Sequence, residues 1–228
     1  QIDDNNNGIS GIEKSFDYDL KTRKKPLELT LDTDIQYLIR EELLKYQEIF
    51  KSIGSSSILM DVNNGNIISM VSLPDFDLNK RQNIEDKNYI NRNTKGVYEL
   101  GSVFKTFTVA AGFHEKIIEP DTKYLNLEKK LKCGKFTIRE YSDKTPTNLT
   151  VEEILIRSGN IGSVRIGQKL GIEKFKSFLG KLGVLNQINF DIEEVGEPIS
   201  FKWGKCKLAT TSYGHGITTT PLQLAKGY

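Results

Sequence analysis

Long apolar runs are missing from this chain of 228 residues. No stretch of 18 consecutive apolar residues occurs, and no basic segment followed by an apolar one opens the chain. The sequence therefore predicts neither a membrane span nor a signal peptide within it. Apolar residues make up 37% of the composition, and the mean hydropathy is -0.41. These values are typical of a soluble globular protein that is long enough to bury a core.

An excess of charge of one sign is also absent, because 32 basic residues are balanced by 30 acidic ones to give a net charge of +2. A nearly neutral protein lacks the basic surface that nucleic-acid binding requires, so we expect no nucleic-acid partner. The basic cluster at residues 21–25 is most simply a solvated linker.

Cysteine and histidine are both scarce. The two cysteines, Cys133 and Cys206, are too few to define a disulfide framework. They can pair in an oxidising compartment, but the sequence alone favours two unpaired thiols. The two histidines, His114 and His215, show no zinc-ligand spacing, so we predict neither a metal site nor a cofactor.

A Ser-x-x-Lys sequence lies where an irregular segment gives way to a helical pattern, and its ends are Ser102 and Lys105. Residues three apart share one face of a helix. If Ser102 begins the helix, its hydroxyl lies near unpaired backbone amides and Lys105 points back at it. A buried lysine with a lowered pKa can then act as the base that makes the serine a nucleophile. The alternative is ordinary capping, with a serine at the helix start and a lysine in the first turn.

Histidine is a poorer choice of base for Ser102. His114 lies twelve residues further along, which on a continuous helix at about 1.5 Å per residue is a separation of roughly 18 Å. His215 lies between two glycines and can approach only from another segment. Lys105 is therefore the predicted base.

A second short motif, Ser158-Gly159-Asn160, follows a predicted helix. Alone, Ser-Gly-Asn is a common loop composition. Together with Ser102 and Lys105 it resembles the first two motifs of the penicillin-binding protein transpeptidases and serine β-lactamases, Ser-x-x-Lys and Ser-x-Asn. The residues around the first motif that carry this resemblance are Tyr98-Glu99-Leu100-Gly101-Ser102-Val103-Phe104-Lys105-Thr106-Phe107-Thr108.

This resemblance implies a role for each motif residue. Ser102 is the implied nucleophile that becomes acylated, and Lys105 is its base. Ser158 is implied to transfer protons between the base and the leaving amine. Asn160 is implied to hydrogen-bond Lys105 and the substrate amide. The segment Gly214-His215-Gly216 is implied to be a backbone support rather than a catalytic element.

The third motif of this family, Lys-Ser/Thr-Gly, is absent from the sequence. Residues 212–225 resemble the segment that precedes this motif in division-specific class B penicillin-binding proteins, and residues 10–17 resemble the end of their N-terminal module. We therefore expect residues 1–20 to be a remnant of that module or its linker, and residues 21–228 to be a C-terminally truncated transpeptidase domain. Without the third motif we expect the chain to be inactive or severely impaired.

The resemblance implies an α/β (α+β) fold of the penicillin-binding protein and serine β-lactamase type, here a helix-rich part with a β-hairpin of an incomplete central antiparallel sheet. The implied function is the crosslinking of peptidoglycan stem peptides that end in D-Ala-D-Ala at the division septum, and β-lactam antibiotics are implied to acylate Ser102. Division membrane proteins are implied partners. The implied location is the periplasmic face of the inner membrane, with an N-terminal anchor on the parent protein. A serine β-lactamase and a non-catalytic β-lactam sensor or cell-wall scaffold are the alternatives.

Local patterns also predict secondary structure. Alternation predicts a strand at residues 27–31, and the turn Asn63-Asn64-Gly65 predicts a hairpin of residues 57–62 and 66–72. Residues 74–95 are polar and predict a loop, and residues 136–141 predict a short extended segment. The predicted helices cover residues 32–50, 102–115, 161–170, 172–179 and 221–228, with one more that is capped by Thr150 and Glu153 and ends before Ser158. Glycine breaks are predicted at Gly171, Gly180 and Gly183.

Overall fold

The chain divides into two units in this computed structural model, which describes residues 2–77, 88 and 90–228. Unit 1 contains the residues up to 97 together with 186–197 and 220–228, and unit 2 contains residues 98–185 and 198–219. Part of the loop predicted at residues 74–95 lies outside the described residues. In the part of the chain that is described, no helix combines the length and the apolar character needed to cross a membrane.

The helices and strands are numbered here in chain order. The elements of unit 1 are α1 (Gly11–Ser15), α2 (Asp17–Thr22), α3 (Thr33–Phe50), β1 (Ser55–Met60), β2 (Ile67–Leu73) and α9 (Pro221–Gly227). Unit 2 begins with a 3-10 turn (Gly101–Phe104), and its helices are α4 (Lys105–His114), α5 (Val151–Ile156), α6 (Asn160–Leu170), α7 (Ile172–Lys181) and α8 (Lys205–Thr211). The strands of unit 2 are β3 (Lys123–Tyr124), β4 (Lys130–Cys133), β5 (Phe136–Arg139) and β6 (Leu149–Thr150).

Strands β1 and β2 form the antiparallel hairpin that the Asn-Asn-Gly turn predicts. Gly65 in the turn has a φ of +77°, a conformation that glycine adopts without a Cβ clash. Side chains along β2 alternate between buried and half-buried, because successive residues of a strand point to opposite faces. The buried apolar residues Ile67, Val71 and Leu73 form part of the core of unit 1.

Helix α3 packs on β2 in unit 1. The side chain of Asp32 caps the helix by accepting the backbone N–H groups of Asp34 and Ile35, each at 3.0 Å. One turn later, the amide of Gln36 donates to the carbonyl of Met70 and accepts its N–H, both at 2.8 Å. The helix predicted over residues 32–50 is confirmed, with Asp32 as its cap.

The strand predicted at residues 27–31 is wrong, because this segment has no regular secondary structure. The hydroxyl of Thr30 donates to the carbonyl of Ile67, and the N–H of Asp32 donates to the carbonyl of Ile68. These contacts hold the segment beside β2 without forming a ladder. The alternating pattern thus marks a segment that lies beside β2 but is not a strand.

The core of unit 2 forms around α4, which packs against α6. Phe107, Val109 and Ala111 of α4 are buried, and the ring of Phe107 packs edge-to-face on Phe104 with centroids 5.1 Å apart. The buried helix predicted over residues 102–115 is confirmed, but its first turn is 3-10 and the α-helix begins at Lys105.

The helix after Thr150 is also confirmed, and it carries the predicted capping box. Thr150 Oγ1 accepts the N–H of Glu153, and the Glu153 carboxylate accepts the N–H of Thr150. The helices predicted from residues 161, 172 and 221 correspond to α6, α7 and α9. The break predicted at Gly180 is wrong, because Gly180 lies inside α7, where a single glycine lowers stability without ending a helix.

Short elements were missed by the sequence patterns, among them α1, α2, α8 and β4. The expectation of two unpaired cysteines is also wrong. Cys133 at the end of β4 and Cys206 in α8 form a disulfide, with their Cα atoms 5.3 Å apart. Their proximity is created by the fold of unit 2, which the spacing of two cysteines does not predict.

Helices and two-stranded antiparallel sheets make the described chain a mixed α/β structure, as predicted. The pairs are β1 with β2, β3 with β6, and β4 with β5. The predicted division into residues 1–20 and 21–228 stays a prediction. All of the candidate site residues lie in unit 2.

Candidate active site

Ser102 lies in the 3-10 turn immediately before α4. Gly101 before it has a φ of +64°, a left-handed conformation that glycine adopts without a Cβ clash. The structure exposes Ser102 and buries Lys105, which is 1% exposed. The serine therefore faces solvent, while the lysine approaches it from the protein interior.

The side-chain nitrogen of Lys105 has three hydrogen-bond partners. Nζ lies 3.2 Å from the hydroxyl oxygen of Ser102, and it donates to the hydroxyl and carbonyl oxygens of Ser158 at 2.9 Å and 2.5 Å. An ammonium group has three N–H donors, so these contacts use all of them. The geometry brings three of the four predicted site residues together.

Burial lowers the pKa of Lys105 from 10.5 to about 8, while the negative charge of Glu140 opposes that change. A buried ammonium loses hydration, which favours the neutral amine. At such a pKa a substantial fraction of the side chain is neutral near physiological pH, and a neutral amine can accept a proton from a hydroxyl.

Ser158 reaches Lys105 through an uncommon backbone conformation. Its φ is +53°, and such a value is rare for a residue with a Cβ. Its N–H donates to the carbonyl of Leu155 and the N–H of Gly159 to that of Ile154, which closes the end of α5. The turn aims both oxygens of Ser158 at one nitrogen.

Asn160 is the first residue of α6 and lines the same cavity as Ser102. Its side-chain amide donates to the carbonyl of Arg139 at 2.8 Å. Among the described residues, the hydrogen bonds of Lys105 run to Ser102 and Ser158 and none runs to Asn160. The contact between Asn160 and Lys105 that the resemblance implies is therefore not formed in this structure, and its contact with substrate stays a prediction.

Glu140 is a neighbour of these residues that the sequence patterns missed. Its carboxylate accepts the backbone N–H groups of Asn160 at 2.7 Å and Ile161 at 2.8 Å. It lies within the segment predicted to be extended, residues 136–141, of which β5 confirms residues 136–139. A contact between a strand end and a helix start some twenty residues later leaves no periodic signal in the sequence.

A cavity of about 490 Å³ opens at Ser102. It has the size of a small-ligand site. The residues that line it are Glu99, Gly101, Ser102, Tyr141, Arg157, Ser158, Asn160, Tyr213, Gly214 and His215.

The segment 213–215 forms one wall of this cavity and packs closely on the turn that carries Ser102. Gly214 has a φ of +82°, and a Cβ built on it would lie 1.8 Å from the carbonyl oxygen of Gly101. Nδ1 of His215 lies 3.0 Å from the carboxylate of Glu99. This geometry agrees with a supporting role for the segment.

Tyr213 stacks on His215 with a ring separation of 6.0 Å. Burial, assisted by the negative charge of Glu99, raises the pKa of Tyr213, so its phenol stays protonated at neutral pH. His114, the other histidine, ends α4 and contacts the ring of Phe178. It lies at the opposite end of the helix from Lys105. Within the described residues, no group of three or more metal-ligating side chains occurs.

The sequence profile of the family described as penicillin binding protein transpeptidase domain matches residues 56–228. The chain therefore belongs to the penicillin-binding protein transpeptidase family, as its motifs predicted. It is 30% identical over 230 residues to the probable peptidoglycan D,D-transpeptidase FtsI of Caulobacter vibrioides, covering 99% of this chain and 39% of that protein. It is 27% identical over 261 residues to the stage V sporulation protein D of Bacillus subtilis, covering 96% of this chain and 38% of that protein.

Solved structures show the same fold. The structure of penicillin-binding protein 3 from Mycobacterium tuberculosis superposes with a TM-score of 0.85 at 23% identity, over 98% of this chain and 53% of that one. The transpeptidase domain of Burkholderia pseudomallei penicillin-binding protein 3 gives 0.76 at 24% identity, over 90% and 58%. The predicted penicillin-binding protein fold is thus confirmed. The chain spans about two fifths of the length of the curated relatives named above.

Proposed function

We propose that this protein is a peptidoglycan D,D-transpeptidase of the septal type, which works through an acyl-enzyme on Ser102. The observation that carries the proposal is the contact of Lys105 with Ser102 and Ser158, together with the lowered pKa of Lys105. A serine needs an adjacent base to become a nucleophile, and this lysine lies within hydrogen-bonding distance of Ser102. The name of the FtsI relative, a probable peptidoglycan D,D-transpeptidase, supports the reaction class.

The first step is attack on the amide between the two terminal D-alanines of a stem peptide. The Ser102 oxygen bonds to the carbonyl carbon as its proton passes to neutral Lys105. The tetrahedral intermediate then breaks its C–N bond, and a proton returned from Lys105 through the Ser158 hydroxyl leaves on the departing D-alanine amine. The product is an ester on Ser102.

The second step reverses the roles of the same groups. An amine from a neighbouring stem attacks the ester carbonyl and loses a proton to Lys105. The Ser102 oxygen then leaves and is reprotonated, which restores the enzyme and yields the crosslink. The negative oxygen of each intermediate needs preorganised N–H donors. We assign one of them to the backbone N–H of Ser102, at the start of a turn where early N–H groups lack intrahelical partners.

β-Lactams enter the same proposal as compounds that acylate Ser102, since their strained amide resembles D-alanyl-D-alanine. A structure of Mycobacterium tuberculosis penicillin-binding protein 3 in complex with aztreonam supports this for a protein of the same fold. The Lys-Ser/Thr-Gly sequence is absent from these 228 residues. We therefore propose that these residues alone are inactive or severely impaired in crosslinking.

The proposed location is the periplasmic face of the inner membrane, with division membrane proteins as partners. The disulfide between Cys133 and Cys206 supports the location, because disulfides form and persist in oxidising compartments. The septal role is proposed from the similarity of the chain to the FtsI protein of Caulobacter vibrioides.

A crosslinking assay tests the proposal. The natural protein at full length is incubated with a stem peptide ending in D-Ala-D-Ala and an acceptor stem, and products are followed by mass spectrometry beside a Ser102→Ala control. We expect a crosslinked product with release of D-alanine, lost in the control. Hydrolysis of penicillin with rapid turnover would indicate a serine β-lactamase instead. A stable penicillin adduct without crosslinking would indicate a sensor or scaffold.

A further inference from the structure

The carboxylate of Glu140 caps a helix to which it does not belong. One oxygen accepts the N–H of Asn160 at 2.7 Å and the other accepts the N–H of Ile161 at 2.8 Å. These are the first two N–H groups of α6, which have no partner within the helix. The N-cap of α6 is Gly159, which has no side chain to satisfy them.

The capped end of α6 directly follows Ser158, the residue that accepts two hydrogen bonds from Lys105. Ser158, Gly159 and Asn160 are consecutive, and Ser158 supplies two of the three hydrogen bonds of Lys105. The carbonyl of Arg139 holds the Asn160 side chain at 2.8 Å. Three hydrogen bonds therefore tie residues 139–140 to the first two residues of α6, directly after a residue in a left-handed conformation. Such a backbone conformation persists only where surrounding contacts enforce it.

The same carboxylate also acts on Lys105 through its charge. The negative charge of Glu140 stabilises the ammonium form and opposes the effect of burial on the pKa of Lys105. The charged or titratable side chains that line the cavity are Glu99, Tyr141, Arg157, Tyr213 and His215. The carboxylate of Glu99 lies beside His215. The charge that raises the pKa of Lys105 is that of Glu140.

We propose that Glu140 is a positioning residue for acylation of Ser102, because its two backbone hydrogen bonds fix the start of α6 and with it the adjoining Ser158 turn. We also expect its charge to favour the ammonium form of Lys105, against the larger and opposite effect of burial. The inference rests on the proposed function only for its consequence in catalysis. The hydrogen bonds and the charge effect belong to the resting protein and are measurable without a reaction.

The test compares Glu140→Gln with Glu128→Gln in the natural protein at full length. Glu128 is a matched control, because its carboxylate contacts Arg165 of the same helix α6 away from the cavity. The rate constant for acylation by a fluorescent penicillin is measured from pH 6 to pH 10. Competitive acetylation of lysines, followed by mass spectrometry, gives the pKa of Lys105 in each variant.

Two results are expected for Glu140→Gln. The pKa of Lys105 and the acidic limb of the acylation profile move together to lower pH, because the charge that favours the ammonium is gone. The plateau rate falls by about tenfold, because one amide oxygen replaces two carboxylate oxygens on two N–H donors. Glu128→Gln leaves both unchanged. A lower plateau rate of acylation, with the acidic limb of the pH profile and the pKa of Lys105 both unchanged, would contradict the proposal. A residue that only supports the fold would give that result.

A second variant covers the case in which Glu140→Gln does not fold. Glu140→Asp keeps the charge but shortens the side chain, so we expect a lower plateau with a limb close to that of the wild type. Hydrogen exchange of the Asn160 and Ile161 amides should be faster in this variant. Unchanged exchange and an unchanged plateau would overturn the positioning role. If the wild type is not acylated at Ser102, the proposed function fails, while the acetylation and exchange measurements still decide the role of Glu140.

Discussion

Lys105 Nζ donates two hydrogen bonds to Ser158, one to the carbonyl oxygen at 2.5 Å and one to the hydroxyl oxygen at 2.9 Å. Both bonds hold the ammonium form of Lys105 in place. Loss of one proton gives an amine with a lone pair, which can face only one of its three oxygen partners productively. The hydroxyl groups of Ser102 and Ser158 both lie within reach of this lone pair. Ser102 is the proposed nucleophile, so in the proposed mechanism deprotonation of Lys105 is the event that activates the site.

Acylation should depend on pH through Lys105. Its pKa of about 8 predicts a rate constant that rises with pH, with its half-maximum near that value, because only the neutral amine is a base. Stopped-flow measurement of acylation by a chromogenic cephalosporin checks this. Lys105→Arg keeps the positive charge and cannot give it up, so its rate should be lower by at least about 10²-fold at every pH. A half-maximum near the ordinary lysine value of 10.5 would contradict the account.

Two substitutions of Ser158 should separate its hydroxyl from its backbone. Both Ser158→Gly and Ser158→Ala remove the hydroxyl that contacts Lys105, so both should slow acylation by about 10²-fold. Their stabilities should differ, because the φ of +53° strains alanine by about 1 kcal/mol more than glycine. Thermal melting and penicillin labelling of the pair measure the two effects. Wild-type labelling by either variant would rule out a role for the hydroxyl.

Gly214→Ala should damage the site without touching a motif residue. The new Cβ would lie 1.8 Å from the carbonyl oxygen of Gly101, so the turn carrying Ser102 must move, and the positive φ adds a cost of about 1–2 kcal/mol. We expect a lower melting temperature and slower acylation.

Gly180→Ala is the control for this substitution. Gly180 lies in α7 with no atom within 4 Å of its Cβ position, so alanine should stabilise the protein by about 0.5–1 kcal/mol with unchanged acylation. Equal effects of the two substitutions on acylation would show that the contact of Gly214 with Gly101 is unimportant.

The disulfide should contribute strongly to stability. Closing a loop with a sequence separation of 73 is worth about 4 kcal/mol in the chain-entropy description. The variant with both Cys133→Ser and Cys206→Ser, melted beside the wild type with and without a reductant, measures this contribution. We expect the double variant to melt at a lower temperature and to be insensitive to the reductant. If the wild type melts at the same temperature as the double variant and is also insensitive to the reductant, the disulfide does not form.

The sequence was most informative where a signal is local. Ser102 and Lys105 are one helical turn apart, and Thr150 and Glu153 form a capping box, so short-range spacing was enough to identify both pairs. The Ser158 motif is distant in sequence from Ser102 and Lys105. It could still be assigned to the same site, because its hydroxyl and amide side chains are the groups that the proposed reaction needs beside a serine and a lysine. In contrast, the left-handed conformation of Ser158 could not be predicted, because it is imposed by packing around the end of α5.

Contacts between distant segments account for most of what the sequence did not predict. The carboxylate of Glu140 meets α6, Cys133 meets Cys206, and His215 meets Glu99. None of these pairs has a periodic or spacing signature. The strand predicted at residues 27–31 was wrong because its alternating pattern is only a local signal. A strand also needs a partner that forms a continuous ladder of hydrogen bonds with it, and a local pattern does not show whether such a partner exists.

The most direct test of the account is to follow the intact mass of the natural protein at full length during incubation with benzylpenicillin, with Ser102→Ala as the control and peptide mapping of the adduct. We predict a lasting adduct of one molecule per chain, located on the peptide that contains Ser102 and absent from the control. No adduct, or an equal adduct in the Ser102→Ala protein, would contradict the assignment of Ser102 as the nucleophile.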